Sequence, residues 1–246
     1  MQSPYDQVFH YSGNLVAHIT FDGQDYNENS FMDISGNNNP LFFNGEINFT
    51  SAPDRFGHND RSYEFTVTHG PPAFYLQQQN TSLATKHFTA TMWTSVSTAD
   101  TMEMYFLWAS PVNVYNDFTR EKESRTLEVE IRMGRSLLEV ELNFGSYNSR
   151  QRFHGHYKDG EGDWNFIALT ADSFGNVLFY INGNKAAHFV LPPNSSIIPN
   201  EYIIVRLPYS GQFSLDDLLI YDYPMAPGQI KRLYEKERVT PYYEQG

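Results

Sequence analysis

Two strictly alternating runs on either side of a glycine turn constrain this chain more than any other feature. In residues 127–133, Leu127, Val129 and Ile131 share one face of an extended strand, and Glu128, Glu130 and Arg132 share the other. After Gly134 and Arg135, Leu138, Val140, Leu142 and Phe144 alternate with Glu139, Glu141 and Asn143. A two-residue turn with glycine first suits a type II′ hairpin. It predicts Met133 opposite Ser136, Ile131 opposite Leu138, Val129 opposite Val140 and Leu127 opposite Leu142. A slip of one residue would set glutamate against valine, so the apolar pattern resists it. This register also sets Glu130 opposite Glu139 and Glu128 opposite Glu141, which is unfavourable. The next run offers compensation, because Arg150, Arg152, His154 and His156 alternate. A loop over residues 146–149 would bring Arg152 beside Asn143, His154 beside Glu141 and His156 beside Glu139. Three adjacent strands with a charge ladder on one face are expected. Such a face is either a solvated sheet surface with offsetting charges or a functional groove.

Most of the remaining chain repeats the theme of short strands and turns. Strand-like runs cover residues 15–21, 62–67, 88–96, 104–108, 165–170, 177–181, 185–191, 201–206 and 215–221. Asn182-Gly183 is the strongest short hairpin signal among them. Only one stretch reads as a helix: Pro227 suits its first turn, and Ile230, Leu233 and Tyr234 fall on one face. So many strands with one helix predict a β-sandwich over residues 14–236. Residues 1–13 read as an N-terminal arm and residues 237–246 as a C-terminal arm, through which neighbouring subunits could be held.

Composition removes whole classes of function. There is no cysteine, which excludes disulfides, thiolate metal sites and cysteine nucleophiles. The formal net charge is −12, which argues against nucleic acid and against anionic membrane surfaces. Mean hydropathy is −0.51, and no apolar run is long enough for a membrane-spanning helix. The first residues lack a basic segment followed by an apolar one, so no signal peptide is expected in this chain. It is then either a piece of a secreted protein, placed outside the cell or on a particle surface, or a protein assembled inside a cell.

Three segments in order carry a resemblance. Trp164 with residues 165–172, followed by Gly175 through Asn182-Gly183, is similar to the core signature of laminin-G-like domains in the concanavalin A-like lectin/glucanase superfamily. Residues 15–23 with Asp33-Ile34-Ser35-Gly36-Asn37 resemble the family's opening strand and loop. Residues 213–221 with Pro227 to Tyr234 resemble its closing strand and short helix. The resemblance implies an all-β jelly-roll sandwich of two antiparallel sheets with one short C-terminal helix. It also implies a structural calcium ion joining the opening loop to the closing strand, and the matching positions are Asp22, Asp33, Asn37, Asp216 and Asp217. Carboxylates and loop carbonyls suit calcium. The same residue types also favour turns on their own account. On an alternating strand one of Asp216 and Asp217 must point inward, to a metal or to backbone N–H groups.

The fold hosts binding modules, assembly components and glycosidases. Glu128 and Glu130 superficially match a glucanase pattern, but the middle acid is glutamate instead of aspartate, and Met133 stands where the last carboxyl is needed. A basic strand alongside would lower carboxyl pKa values, whereas a general acid needs one raised. His154 and His156 have no third ligand at zinc spacing. The expectation is a non-catalytic recognition or adhesion module for a glycan or protein ligand. The alternatives are a structural component of a viral or phage particle, surface layer or appendage, and then a glycoside hydrolase.

Overall fold

The computed structural model describes residues 15–23, 25–27, 29–44, 48–67, 73–77, 87–96, 104–116, 121–134, 137–143, 151–156, 164–191, 196–197, 202–206 and 211–240. The first strands are β1 (Leu15–Ile19), β2 (Tyr26–Asn27), β3 (Ser30–Phe31), β4 (Leu41–Asn44), β5 (Asn48–Ala52) and β6 (Ser62–Val67). Next come β7 (Ala73–Gln77), β8 (Phe88–Val96), β9 (Met104–Asn116), β10 (Glu121–Gly134), β11 (Leu137–Asn143) and β12 (Gln151–His156). The chain continues through β13 (Asn165–Ala171), β14 (Asn176–Ile181), β15 (Asn184–Val190), β16 (Ser196–Ile197), β17 (Tyr202–Arg206) and β18 (Gly211–Tyr221), and then α1 (Pro227–Glu237).

The strands form two antiparallel sheets, as the sequence predicts. One runs β15-β14-β13-β8-β18-β6-β5, with β1 also paired to β18. The other runs β12-β11-β10-β9-β17-β7-β4-β3-β2, with β16 paired to β9. Fully buried phenylalanines at 21, 31, 65, 179 and 213 fill the space between the sheets. Phe21 meets Phe31 edge-on at 5.0 Å, and Phe65 stacks on Phe213 at 5.4 Å.

The first sheet is covered on both faces, which explains why every residue of β13 is buried. Ile167, Leu169 and Ala171 belong to the core between the sheets. Phe166 and Ala168 belong to a second cluster with Trp93, Tyr180, Leu219, Ile230 and Leu233. Helix α1 is the cover on that side, with Pro227 in its first turn. Its Tyr234 stacks on Trp93 at 5.8 Å. Glu237, assigned by the sequence to the C-terminal arm, ends the helix and is buried. Residues 1–13 and 241–246 of the two expected arms lie outside the described residues, as do Arg150 and the loop over residues 146–149.

The hairpin of the opening pattern forms, but its register is corrected by two residues. Gly134 pairs with Leu137, Met133 with Leu138, Ile131 with Val140 and Val129 with Leu142. Side chains alternate with period two, so a two-residue shift keeps every apolar position on its own face. What changes is the charge pairing. Arg132 now opposes Glu139 and Glu128 opposes Asn143, which leaves Glu130 opposite Glu141 as the one like-charged pair of the hairpin. The next strand shifts with it: Glu141 opposes Arg152, Glu139 opposes His154 and Leu137 opposes His156. Opposite charges facing each other are each worth about 0.2–1 kcal/mol, which favours this register over the expected one.

The Asn182-Gly183 turn has positive φ at both residues, 48° and 75°, as a type I′ turn requires. A Cβ on Gly183 would stand 2.9 Å from the Tyr234 ring. Gly183→Ala is therefore expected to lower stability by about 1–3 kcal/mol, through left-handed backbone strain and displacement of Tyr234 from Trp93. Thermal unfolding measures it, and an unchanged midpoint would contradict the close packing.

Candidate functional site

A β-bulge in β18 sets up the main buried polar cluster. Between Asp216 and Leu219 the pairing with β8 shifts, and Asp217 takes a φ of 48°. A regular strand would send only one of Asp216 and Asp217 inward. The bulge re-aims the strand, and both are buried. Their partner is Arg55, from the turn between β5 and β6. One guanidinium nitrogen of Arg55 binds the Asp216 carboxylate, and Nη2 donates to Asp217 Oδ2 at 3.0 Å. His18 Nε2 lies 3.0 Å from Asp217 Oδ1. The Arg55, Asp216 and Asp217 side chains are only 4%, 5% and 7% exposed. The guanidinium also sits 4.7 Å from the Trp93 ring and 4.8 Å from the Phe56 ring. Its Nε donates to the Glu237 carbonyl at 3.3 Å, which fastens the end of α1.

One cation cannot offset three buried carboxyls. Burial pushes Asp216 well above the usual carboxylate range, and neighbouring Asp217 adds to the effect against Arg55. Burial pushes Glu237 up to about 8, with Asp217 adding to it. Glu237 accepts a hydrogen bond from Trp93 Nε1 at 2.8 Å, and its other oxygen has no partner among the described residues.

The remaining calcium candidates are spread over separate tasks. Asp33 accepts from the backbone N–H of His18, Ser35 and Asn39 at 2.8–2.9 Å, which fixes the loop over residues 32–40 against β1. Asn37 Nδ2 donates to the Leu15 carbonyl at 2.7 Å. Asp22 accepts from Arg61 Nη1 at 2.8 Å. Among the described residues, no group of three or more His, Asp or Glu side chains is arranged for a metal ion. The five candidates do not fit one calcium ion: Asp216 and Asp217 are turned to Arg55, Asp33 to backbone N–H groups and Asp22 to Arg61, and Asn37 presents its amide N–H to β1. Of the eight charged-face candidates, Glu128, Glu130, Glu139, Glu141, Arg152, His154 and His156 fall on three neighbouring strands, β10 to β12.

A second polar feature is open to solvent, and the sequence pointed to only one of its residues. Asp22, Gly23 and Asp25, from the loop after β1, face Ser51, Asn59, Asp60 and Arg61 across a cleft of about 460 Å³. The Gly23 N–H donates to the Asp60 carbonyl at 3.0 Å. A Cβ on Gly23 would stand 3.3 Å from Ser51 Oγ, so glycine permits this closeness. Ser51 donates to Asp60 Oδ1 at 2.7 Å, and Thr20 Oγ1 donates to Asp25 Oδ2. Tyr63 reaches the Gly23 carbonyl with its hydroxyl at 3.4 Å. Burial raises the Asp22 pKa, with Arg61 opposing. The only sequence signal for this cleft is the density of Asp, Asn and Gly in its two loops.

Two outcomes follow from the buried cluster. Arg55→Met leaves buried carboxylates without a cation and is expected to cost about 3–5 kcal/mol at neutral pH, read by chemical denaturation. A loss under about 1 kcal/mol, within the range of exposed pairs, would refute the pairing. Glu237 titrates near 4.5 when unfolded and near 8 when folded, so between these values the folded protein holds the extra proton. Its contribution to stability is complete below 4.5 and declines as pH rises to 8. Glu237→Gln should flatten that decline in thermal midpoints, whereas an unchanged slope would assign it to another group.

Comparison with known proteins agrees with this fold. Residues 73–231 match the family described as the concanavalin A-like lectin/glucanases superfamily. Botulinum neurotoxin type E of Clostridium botulinum is 23% identical over 229 residues, covering 87% of this chain and 17% of the toxin. The type E toxin of Clostridium butyricum is also 23% identical, over 226 residues, covering 86% of this chain and 17% of the toxin. The chain thus spans about a sixth of the length of these relatives. Among solved structures, the binding domain of botulinum neurotoxin DC in complex with SialylT superposes with a TM-score of 0.62 at 15% identity, covering 91% of this chain and 51% of that one. The binding domain of Paraclostridial Mosquitocidal Protein 1 gives 0.58 at 17% identity, with 91% and 52% coverage. With well over half of its sequence matched, the chain belongs to the concanavalin A-like lectin/glucanase superfamily.

Proposed function

We propose that this chain is a non-catalytic recognition module, displayed outside the cell or on a particle surface, that binds carbohydrate or protein. The observation that carries this reading is the open polar cleft on a sandwich whose buried charges are tied to one another. Ligand groups need polar partners held in place but not used up, and the cleft offers them. Similar folds serve this purpose. The neurotoxin DC binding domain is described in complexes with SialylT and with rat synaptotagmin II. Cell entry of botulinum neurotoxin type C is described as dependent upon interaction with two ganglioside molecules.

Hydrolysis receives less support. Met133 still stands where the glucanase pattern needs a carboxyl, and it faces Leu138 and Met104 across the ladder. Glu141, opposite Glu130, faces Arg152 on its other side.

A glycan array run with calcium and again with chelator tests the proposal. The expected result is selective binding that chelation leaves unchanged, because Arg55 occupies the position between Asp216 and Asp217. Binding lost on chelation would overturn the role given to Arg55. Absence of binding to glycans, and to candidate protein ligands by pull-down with the intact chain, would overturn the recognition reading.

A further inference from the structure

We propose that Glu237 is a proton-held latch: its carboxyl keeps the last turn of α1 docked on Trp93 while it carries a proton, and the turn comes away when the proton leaves. This goes beyond the recognition reading and holds whatever the ligand.

The geometry of the docking site gives the reason. Glu237 ends α1 and is 1% exposed. One carboxyl oxygen accepts from Trp93 Nε1 at 2.8 Å, and the other has no partner among the described residues. An ionised carboxyl there would keep one oxygen dehydrated and unbonded, at a far higher cost than a neutral one. Its place along the helix adds to this, because a negative charge at a helix C-terminus opposes the macrodipole.

The charged groups around the site do not supply what is missing. From β18, Asp217 repels a charge on Glu237, with Asp216 buried beside it. From the turn between β5 and β6, Arg55 attracts one, but its hydrogen bonds go to Asp216, to Asp217 and to the main-chain carbonyl of Glu237. From β1, His18 bonds Asp217. On the chain of α1 itself, Lys236 adds a smaller attraction, and Arg238 lies over the Tyr234 ring at 5.9 Å. Burial outweighs both Arg55 and Lys236, so the carboxyl keeps its proton up to about pH 8.

The last turn can open without the rest of the helix. Upstream, Ile230 and Leu233 hold α1 in the apolar cluster with Phe166 and Leu219, where no charge is involved. Downstream, the Arg238 N–H donates to the Tyr234 carbonyl at 2.9 Å, those of Val239 and Thr240 to the Lys236 carbonyl at 3.3 and 3.2 Å, and the Val239 side chain is exposed. Few bonds and little apolar burial make such an end cheap to open. Opening lets water reach the carboxyl. It also breaks the bond from Arg55 Nε, whose turn leads into the cleft wall at Asn59, Asp60 and Arg61.

Hydrogen exchange of the intact chain tests the latch, read at the Trp93 indole N–H and at the amides of Arg238, Val239 and Thr240. Exchange is itself base-catalysed, so each rate is divided by that of Glu237→Gln, which stays neutral and keeps an acceptor for Trp93. Between 4.5 and about 8 the docked turn holds a proton that the released turn lacks, so the released fraction grows as pH rises and levels off above that range. The rate ratio should therefore climb by about tenfold per pH unit and then stay flat. The exchange should also be insensitive to urea below the unfolding transition, with the β13 amides exchanging about a hundredfold or more slowly. A ratio that does not change with pH would overturn the latch. So would a rise that shares the urea dependence of the β13 amides, because the turn would then open only with the whole fold. If Glu237→Gln does not fold, Glu237→Met, neutral and of similar length, takes its place with the same expectations.

Discussion

A single guanidinium among buried carboxyls is the constraint on which the rest of the structure depends. Arg55 joins four parts of the chain: its own turn, the bulge of β18, Trp93 on β8 and the last residue of α1. His18 adds β1 through Asp217. This cluster lies where the edge of β18 passes from β6 to β1 as partner. Burying charge is costly, so such a cluster is a poor source of net stability. Its value is geometric, because each member is costly to remove once its partners are buried.

The same turn that carries Arg55 leads into Asn59, Asp60 and Arg61, which form one wall of the cleft. Asp54 organises that turn by accepting from the N–H groups of Phe56 and His58 at 2.8 and 2.9 Å. The opposite wall follows β1, whose His18 is tied to Asp217 and to Asp33. Hydrogen bonds tie residues of both walls in place, and loops ordered before binding lower the entropic cost of association. The buried cluster and the open cleft are therefore mechanically connected, although only the cleft meets solvent.

Much of the fold was legible because it depends on local pattern. Alternation marked β10 and β11, the Asn182-Gly183 pair marked a turn, and Pro227 with Ile230 and Leu233 marked the helix. Register was legible only to within two residues, because a shift of two leaves the apolar faces unchanged and alters charge pairs alone. The Asp216-Asp217 pair drew notice, but its partner did not. Arg55 lies 161 residues from Asp216 in an ordinary-looking turn, and alternation cannot anticipate a bulge that aims both aspartates at it. The cleft was hidden for a related reason: its residues come from two loops and the strand between them, and Asp22 alone stood out. The sequence led to one of Asp216 and Asp217 pointing inward, toward a metal or backbone N–H groups, whereas both are buried with Arg55 as their positive partner. That partner proved to be part of the chain.

The most direct measurement is calorimetric titration of calcium into chelator-treated protein. If Arg55 supplies the positive charge between Asp216 and Asp217, calcium should give no saturable heat, and thermal unfolding should be unaffected by it. A stoichiometric site whose binding raises the unfolding temperature would contradict the role of Arg55.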